Sequence, residues 1–507
     1  MTNNSIYSSF IEAKTGELIP TLKNGKTLES RYNPKNDALK KLNTIDSSKS
    51  FFIVIGIASG IFINELLKRN PLAKIICIEQ NQEDIDFLMQ SSLIKQISQN
   101  SNIIFCNQNN IVETLLNNYI PAFYGNIQII ENQIWCLENR DSHQIIQALL
   151  NKSLEYISKD FSVQSHFGKL WQSNIINNIK LLNTFNIENT ISIPLEKEAV
   201  IVAAGPSLDK KVSYLKNNND KFFIISTDTA YSTLLKNNVF CDCVVSIDAQ
   251  QISYNHFIND SKSSKDTLFV FDLTGNHSAC KKLLENNHKL LFTINNHPLS
   301  NFVNSFSNNT FPSIFTGAGT VTIGAVDLAV KLGFKKIQVY GADFSYINNK
   351  PYTKGTYLDS LYFLSNNKIN SAEKAFSSLM FRTEIKKSWE NRIQTWVLAS
   401  YEASFYDYLN SINADYKKED DIYKIEILNN KNHLSIKKQN SINLDELYSK
   451  FKNENCNFNE KKQIINLKNT DICLLPLISW LRNNDNIKED NFSDLLKIAY
   501  SIILRLE

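Results

Sequence analysis

The sequence predicts an α/β protein: two successive units of alternating strands and helices, then a helical C-terminal region. Three observations carry this. Short apolar runs recur along the first two thirds of the chain, several of them break into glycine-bearing turns, and amphipathic stretches of helical period lie between them. Repeated strand–turn–helix units build parallel sheets. At 507 residues the chain exceeds one ordinary core, and about two to four domains are expected. Boundaries are expected at 1–155, 156–410 and 411–507.

The first unit opens with Phe51-Phe-Ile-Val-Ile55 as a strand, the turn Gly56-Ile-Ala-Ser-Gly60, and an amphipathic helix to about Lys68. Ile75–Ile78 is the next strand and ends in Glu79, and Ile103–Phe105 and Ile127–Ile130 continue the series. Strand, glycine turn, helix, strand and acid form half of a Rossmann-like unit, in which the acid would meet a ribose. The glycine pattern is incomplete, so a structural, non-binding role is preferred. Residues from about 155 to 195 read as a helical connector, with Phe167, Leu170, Ile175, Ile179 and Leu182 near helical spacing.

The second unit begins near Pro194 and runs to about residue 365. Its expected strands are Val200–Ala203, Phe223–Ser226, Val244–Ile247, Leu268–Phe271, Leu290–Thr293 and Ile337–Tyr340, with a helix over Val321–Leu332 capped by Gly333. Beyond it, Ala372–Leu409 is expected as one or two long helices, and the segment after the charged break Lys417–Asp421 as mostly helical.

Composition excludes several classes. Hydrophobic residues at 43% and charged residues at 21% suit a soluble globular chain. The balance of 54 basic against 51 acidic residues leaves +3, which argues for neither a nucleic-acid nor a membrane partner. No apolar run reaches the roughly 18 residues a membrane helix needs, and the N-terminus lacks the features of a signal peptide. A cytoplasmic location is expected. The cysteines (Cys77, Cys106, Cys136, Cys241, Cys243, Cys280, Cys456 and Cys473) mostly sit in apolar runs. Cys241 and Cys243 lack the second pair a zinc site would need, so no metal is expected.

The candidate chemistry sits at strand ends of the second unit. Gly205-Pro206-Ser207 follows a strand directly, so glycine and free N–H groups can approach an anion there. An ordinary helix start with a serine cap fits the same residues. Asp228 and Asp248 end the next two strands, and that recurrence favours a ligand-binding rim. Thr316-Gly317-Ala-Gly-Thr320 is a second glycine turn, suited to an anion or to close helix packing. Asp343 ends a further strand, followed by a loop rich in Tyr346, Tyr352, Lys354 and Thr356. Tyrosine hydroxyls beside a cation suit stabilisation of a leaving phosphate. His256, His277 and His297 are candidate general bases, although a lone histidine is more often structural.

Taken together, Ala203–Leu208, Ser246–Gln250 with His256, and Thr316–Thr320 through Gly341–Asp343 resemble the motility accessory factor family. Its members are bacterial glycosyltransferases that place nonulosonic acids, such as pseudaminic or legionaminic acid, on flagellin. The core is also similar to an archaeal hydroxymethylpterin pyrophosphokinase and, more distantly, to sialyltransferases that use CMP-sialic acid. The resemblance covers roughly residues 160 to 410. It implies a Rossmann-like N-terminal domain, a sialyltransferase-like centre and a helical C-terminal region.

The same resemblance implies roles. Gly205, Pro206 and Ser207 would meet the donor's cytidine and phosphate, and Thr316 and Gly317 the sugar carboxylate. Asp343 and Phe344 match a third motif, and Tyr346 and Tyr352 would assist the departing phosphate after a one-residue shift. No histidine occurs between His297 and His433, so either Asp248, Asp228 or His256 takes the place of the family's downstream base, or the acceptor is only positioned and dissociation of the donor drives the reaction. The implied partners are a CMP-activated sugar and flagellin, with no required cofactor. A pyrophosphokinase would instead need Mg²⁺ on Asp228, Asp248 and Asp343. An inactive flagellin-binding protein, using the aromatic helices after residue 372, is a third possibility.

Overall fold

One parallel and one mostly parallel sheet carry the protein. The computed structural model describes residues 4–259, 264–316, 319–364, 366–367, 371–428, 434, 436–456, 467–484 and 491–506. They divide into two units, Met1–Gly168 with Phe458–Ser501, and Lys169–Asn457 with Ile502–Glu507.

The first unit starts with an antiparallel hairpin, β1 (Tyr7–Glu12) and β2 (Leu18–Leu22). Strands β3 (Phe51–Ile55), β4 (Lys74–Glu79), β5 (Ile103–Asn107) and β6 (Gln128–Glu131) then form a parallel sheet in the order β5-β4-β3-β6. β3 and β4 are buried at every position, as strands covered on both faces require. At the turn after β3, Gly56 has φ +78, and a Cβ there would lie 2.7 Å from the Trp135 side chain. Glu79 accepts from the Tyr7 hydroxyl at 3.0 Å, the Ile57 N–H at 2.7 Å and Trp135 Nε1 at 2.8 Å. Tyr7 and Trp135 thus sit on the acid that a ribose would have used, which supports the structural reading of this turn.

Burial and then the nearby Asp84 push the Glu79 carboxyl up to about 8, against its three donors. The folded protein therefore keeps a proton that the unfolded chain loses near its ordinary pKa of about 4.5. Stability is fully present below that pH and falls as pH rises through about 8. A melting series from about pH 5 to about pH 8.5 should show a falling Tm, and Glu79→Gln should flatten most of the slope. An equal slope in that variant would contradict the assignment.

The second unit is built on an eight-stranded sheet. Its parallel members are β7 (Glu198–Val202), β8 (Phe222–Thr227), β9 (Cys243–Ser246), β10 (Leu268–Asp272), β11 (Lys289–Thr293) and β12 (Lys336–Tyr340). A small sheet of β13 (Tyr346–Ile347), β14 (Ile385–Trp389) and β15 (Arg392–Thr395) follows. The antiparallel hairpin of β16 (Ala414–Glu419) and β17 (Ile422–Ile427) completes the main sheet, in the order β11-β10-β9-β8-β7-β12-β17-β16. The chain winds outward from β7 to β11 and then returns to β7's other side as β12. That reversal is a topological switch point, where open α/β sheets place their ligands.

Three expectations are corrected. Ala372–Leu409 is not all helix: a helix over Ala372–Met380 gives way to β14 and β15, and a helix resumes over Trp396–Ser411. Ile385, Trp389 and Ile393 are four residues apart, a spacing that both helical and strand periods satisfy. The charged break Lys417–Asp421 is the end of β16 and the turn that follows it, and Tyr423, Ile425 and Ile427 alternate inward on β17, so the helices of the C-terminal region begin only after this hairpin. The boundaries at 155 and 411 also move. A single helix spans Arg140–Thr184, β16 and β17 belong to the second unit, and Phe458–Ser501 belongs to the first.

Seven described cysteines are free and buried, in keeping with apolar packing. Among the described residues no helix is long and apolar enough to cross a membrane.

Candidate active site

At the switch point, the loops after β7 and β12 meet backbone to backbone. The Ala203 N–H donates to the Tyr340 carbonyl and the Gly205 N–H to the Gly341 carbonyl, both at 2.8 Å. A Cβ on Gly341, at φ +69, would lie 2.2 Å from the Ala203 carbonyl oxygen, and one on Gly205 would lie 2.4 Å from Asp343 Oδ2. Glycine is thus required at both positions. The Ser207 N–H donates to Asp343 Oδ2 at 2.8 Å, and the Ser207 hydroxyl bonds the same carboxylate. Burial pushes the Asp343 carboxyl up, these bonds pull it back, and its Oδ1 is buried without a partner.

This differs from the expected phosphate cradle. Pro206 opens a five-residue 3-10 turn, and the Ser207 N–H aimed at an anion already holds Asp343. Gly205, Pro206, Ser207 and Asp343 form one locked unit. Phe344 follows at φ +47, and Gln394 Nε2 donates to its carbonyl at 3.0 Å.

Asp228 is buried at the end of β8. Its Oδ2 accepts from the Ser246 hydroxyl at 2.8 Å, and its Oδ1 from the Thr229 N–H at 2.7 Å. Asp228 thereby ties β8 to β9. Asp248 is half-buried, and its Oδ1 accepts from the Gln250 N–H at 3.0 Å. Burial pushes its carboxyl up, Asp228 adds to this, and His256 opposes it. The His256 ring meets Tyr357 edge-on at 4.6 Å, and its Nδ1 is buried without a partner. Among the described residues, Asp228, Asp248 and Asp343 do not converge as a metal-ligand group.

The tyrosine loop is pinned onto the rim. The Thr353 N–H donates to the Ala204 carbonyl at 2.9 Å, and the Lys354 N–H to Asp209 Oδ1 at 2.8 Å. Burial pushes the Tyr352 phenol up, Tyr346 acts the same way, and the Arg382 guanidinium opposes both. Burial likewise raises Tyr346, with Arg382 against it and Tyr401 with it. Tyr357 is pushed up to about 12, by burial and then by Tyr352, Tyr362, Asp248 and Asp228. Tyr346, Tyr352, Tyr357, Tyr401 and Arg382 therefore share one electrostatic neighbourhood with Asp248 and His256.

The second glycine turn joins it. A Cβ on Gly319, at φ +70, would lie 3.2 Å from the Tyr401 ring. Thr316 is half-buried on that turn, and Gly317 lies outside the described residues. The other histidines do different work. Burial lowers His297 to about 3, and its Nδ1 accepts from the Leu299 N–H at 3.2 Å at its own helix start. Burial also lowers His277, which pairs with Asn178 at 3.2 Å.

Several residues here had no strong sequence signal. Arg382 lay in a stretch of helical spacing, and Tyr401 read as helix core. Asp272, one position beyond the expected strand end, is a wholly buried acid that burial raises to about 6.

Comparisons with known proteins bear on this region. The family model for 6-hydroxymethylpterin diphosphokinase MptE-like proteins matches residues 173–349. An uncharacterised protein of Treponema pallidum (strain Nichols) is 35% identical over 141 residues, 28% of this chain and 67% of that one. A second from the same organism is 37% identical over 118 residues, 23% of this chain and 41% of the relative. The solved MAf glycosyltransferase from Magnetospirillum magneticum AMB-1 matches with a TM-score of 0.52 at 11% identity, over 99% of this chain and 86% of that chain. At that identity the likeness is one of fold. The resemblance read from the motifs is met both by the matched domain and by this fold.

Proposed function

The chain belongs to the family of the uncharacterised Treponema pallidum protein whose length it covers by 67%, and from its MptE-like domain and glycosyltransferase fold we propose that it is a glycosyltransferase. Its donor would be a CMP-activated nonulosonic acid of the pseudaminic or legionaminic type, and its acceptor a serine or threonine hydroxyl of flagellin. The observation that carries this reading is the loop of Tyr346 and Tyr352, pinned to the β7–β12 switch point by the Thr353 N–H bond to the Ala204 carbonyl at 2.9 Å, with Arg382 in electrostatic reach of both tyrosines and Tyr357 in reach of Tyr352 and Asp248.

In this reading the bond from the anomeric carbon to the phosphate oxygen breaks as the acceptor oxygen bonds that carbon. The departing phosphate gains negative charge. Arg382 offsets it, and the Tyr346 and Tyr352 hydroxyls, raised by burial and so still protonated at neutral pH, donate to it. Asp248, with His256 beside it, receives the acceptor's proton. The Gly205–Ser207 turn, fixed by Asp343, forms the floor on which the nucleotide rests. Thr316 and the second glycine turn would meet the sugar carboxylate.

The MptE-like match raises a second reading, a Mg²⁺-dependent pyrophosphokinase. Among the described residues its three acids do not form one ligand group: Asp228 accepts from Ser246 and Thr229, and Asp343 Oδ2 accepts from Ser207. Purified protein with CMP-donor, flagellin and EDTA separates the two. Sugar transfer that persists in EDTA is expected. Pyrophosphoryl transfer from ATP that needs Mg²⁺, with no glycosylation, would overturn the assignment.

A further inference from the structure

We propose that the first unit binds a transition-metal ion of the zinc type between Glu131, Cys136 and His143. A carboxylate oxygen, the thiol sulfur and an imidazole nitrogen from these residues lie within 4.8 Å of one another. His143 Nε2 is 2.9 Å from Glu131 Oε1. Zinc bonds of ~2.0–2.3 Å put tetrahedral ligand atoms ~3.3–3.8 Å apart, so side-chain rotations suffice to close the set.

The backbone presents the three groups from one short stretch. Glu131 ends β6 at the carboxyl rim of its sheet, Cys136 lies in the helix Gln133–Glu138, and His143 in the first turn of the helix Arg140–Thr184. The Cys136 N–H donates to the Asn132 carbonyl at 3.0 Å and the His143 N–H to the Asn139 carbonyl at 2.9 Å. These bonds fix the backbone of Cys136 and His143 before any ion arrives. Gln147 Nε2 bonds the Glu131 carboxylate, which makes it an outer-shell partner that orients a ligand. The Glu131 and His143 side chains are 26% and 25% exposed, which leaves an entry path, while Cys136 is buried.

One sulfur, one nitrogen and one oxygen ligand select zinc or cobalt over magnesium or calcium, which prefer oxygen alone. The trio leaves a fourth position for water. Lys41 opposes the ion: its Nζ donates to the Glu131 carbonyl at 2.7 Å, and its charge acts on Cys136. In the sequence, Cys136 lies in an apolar run without a paired cysteine, so this mixed set carries no spacing signal.

Co²⁺ titrated into the full chain under reducing conditions tests the site, followed by thiolate-to-cobalt charge-transfer absorption, with zinc per chain counted by mass spectrometry. One equivalent and a charge-transfer band are expected. Cys136→Ser should abolish the band, and a control change at Cys456, Cys456→Ser, should keep it. His143→Ala and Glu131→Gln should each weaken binding by more than the roughly 10–100-fold that outer-shell changes cost, while Lys41→Met should strengthen it. If Cys136→Ser folds poorly by circular dichroism, the wild-type stoichiometry and Glu131→Gln decide the matter. Absence of saturable uptake, or a band that survives Cys136→Ser in folded protein, would overturn the site and leave the trio an ion pair at a helix start.

Discussion

Tyr352→Phe is expected to lower kcat for sugar transfer by about 10²–10³ while leaving the melting temperature unchanged, the effect of removing one preorganised donor from a developing oxyanion. The ring is half-buried, and phenylalanine keeps its packing, so the change removes only the hydroxyl. That hydroxyl is held protonated by burial and by Tyr346, with Arg382 in electrostatic reach. Tyr346→Phe should cost a similar factor. The double variant should lose less than the product of the two, because groups that act on one charge as a unit are not additive. Transfer at the wild-type rate in Tyr352→Phe would remove the tyrosine from the chemistry, whatever the fate of the fold.

The largest effect on stability is expected at the switch point. Gly341→Ala combines a positive φ, which costs an L residue roughly 1–2 kcal/mol, with overpacking that costs about 1–3 kcal/mol. The added methyl would lie 2.2 Å from the Ala203 carbonyl oxygen, a backbone atom that cannot swing aside. A loss of about 2–5 kcal/mol follows, read by urea denaturation. Gly25→Ala is the control: Gly25 also has a positive φ, +81, but nothing lies within 4 Å of its added methyl. It should lose only the conformational share. Equal losses in the two variants would show that the close approach of the β7 and β12 loops contributes nothing.

The parallel strands were legible because each is a short apolar run ending in a turn residue, and burial on both faces leaves no polar alternation to confuse the reading. Tyr346, Tyr352, Asp248 and His256 stood out by residue type alone, and Tyr357 lies in electrostatic reach of Tyr352 and Asp248 and in ring contact with His256. The hairpin β14–β15 was not legible, because Ile385, Trp389 and Ile393 satisfy two periods at once. The pairing of Asp343 with Ser207 was illegible for another reason: the two are far apart in sequence, and only the return of β12 beside β7 joins them. Asp343 and the Gly205 turn each looked like half of a ligand site, whereas each is the other's partner. Arg382 carried no local signal at all, since an arginine between two elements is ordinarily a solvated charge.

In the proposed function, the switch-point rim, with Arg382 and the tyrosines, holds the nucleotide's phosphate. Calorimetric titration of CMP into the wild type and Arg382→Ala decides this. The wild type should bind saturably at one site. Arg382→Ala should bind at least about tenfold more weakly, as loss of a charged hydrogen bond of roughly 1.5–3 kcal/mol requires. Equal affinity in the two proteins, or no binding of CMP to the wild type, would contradict the claim.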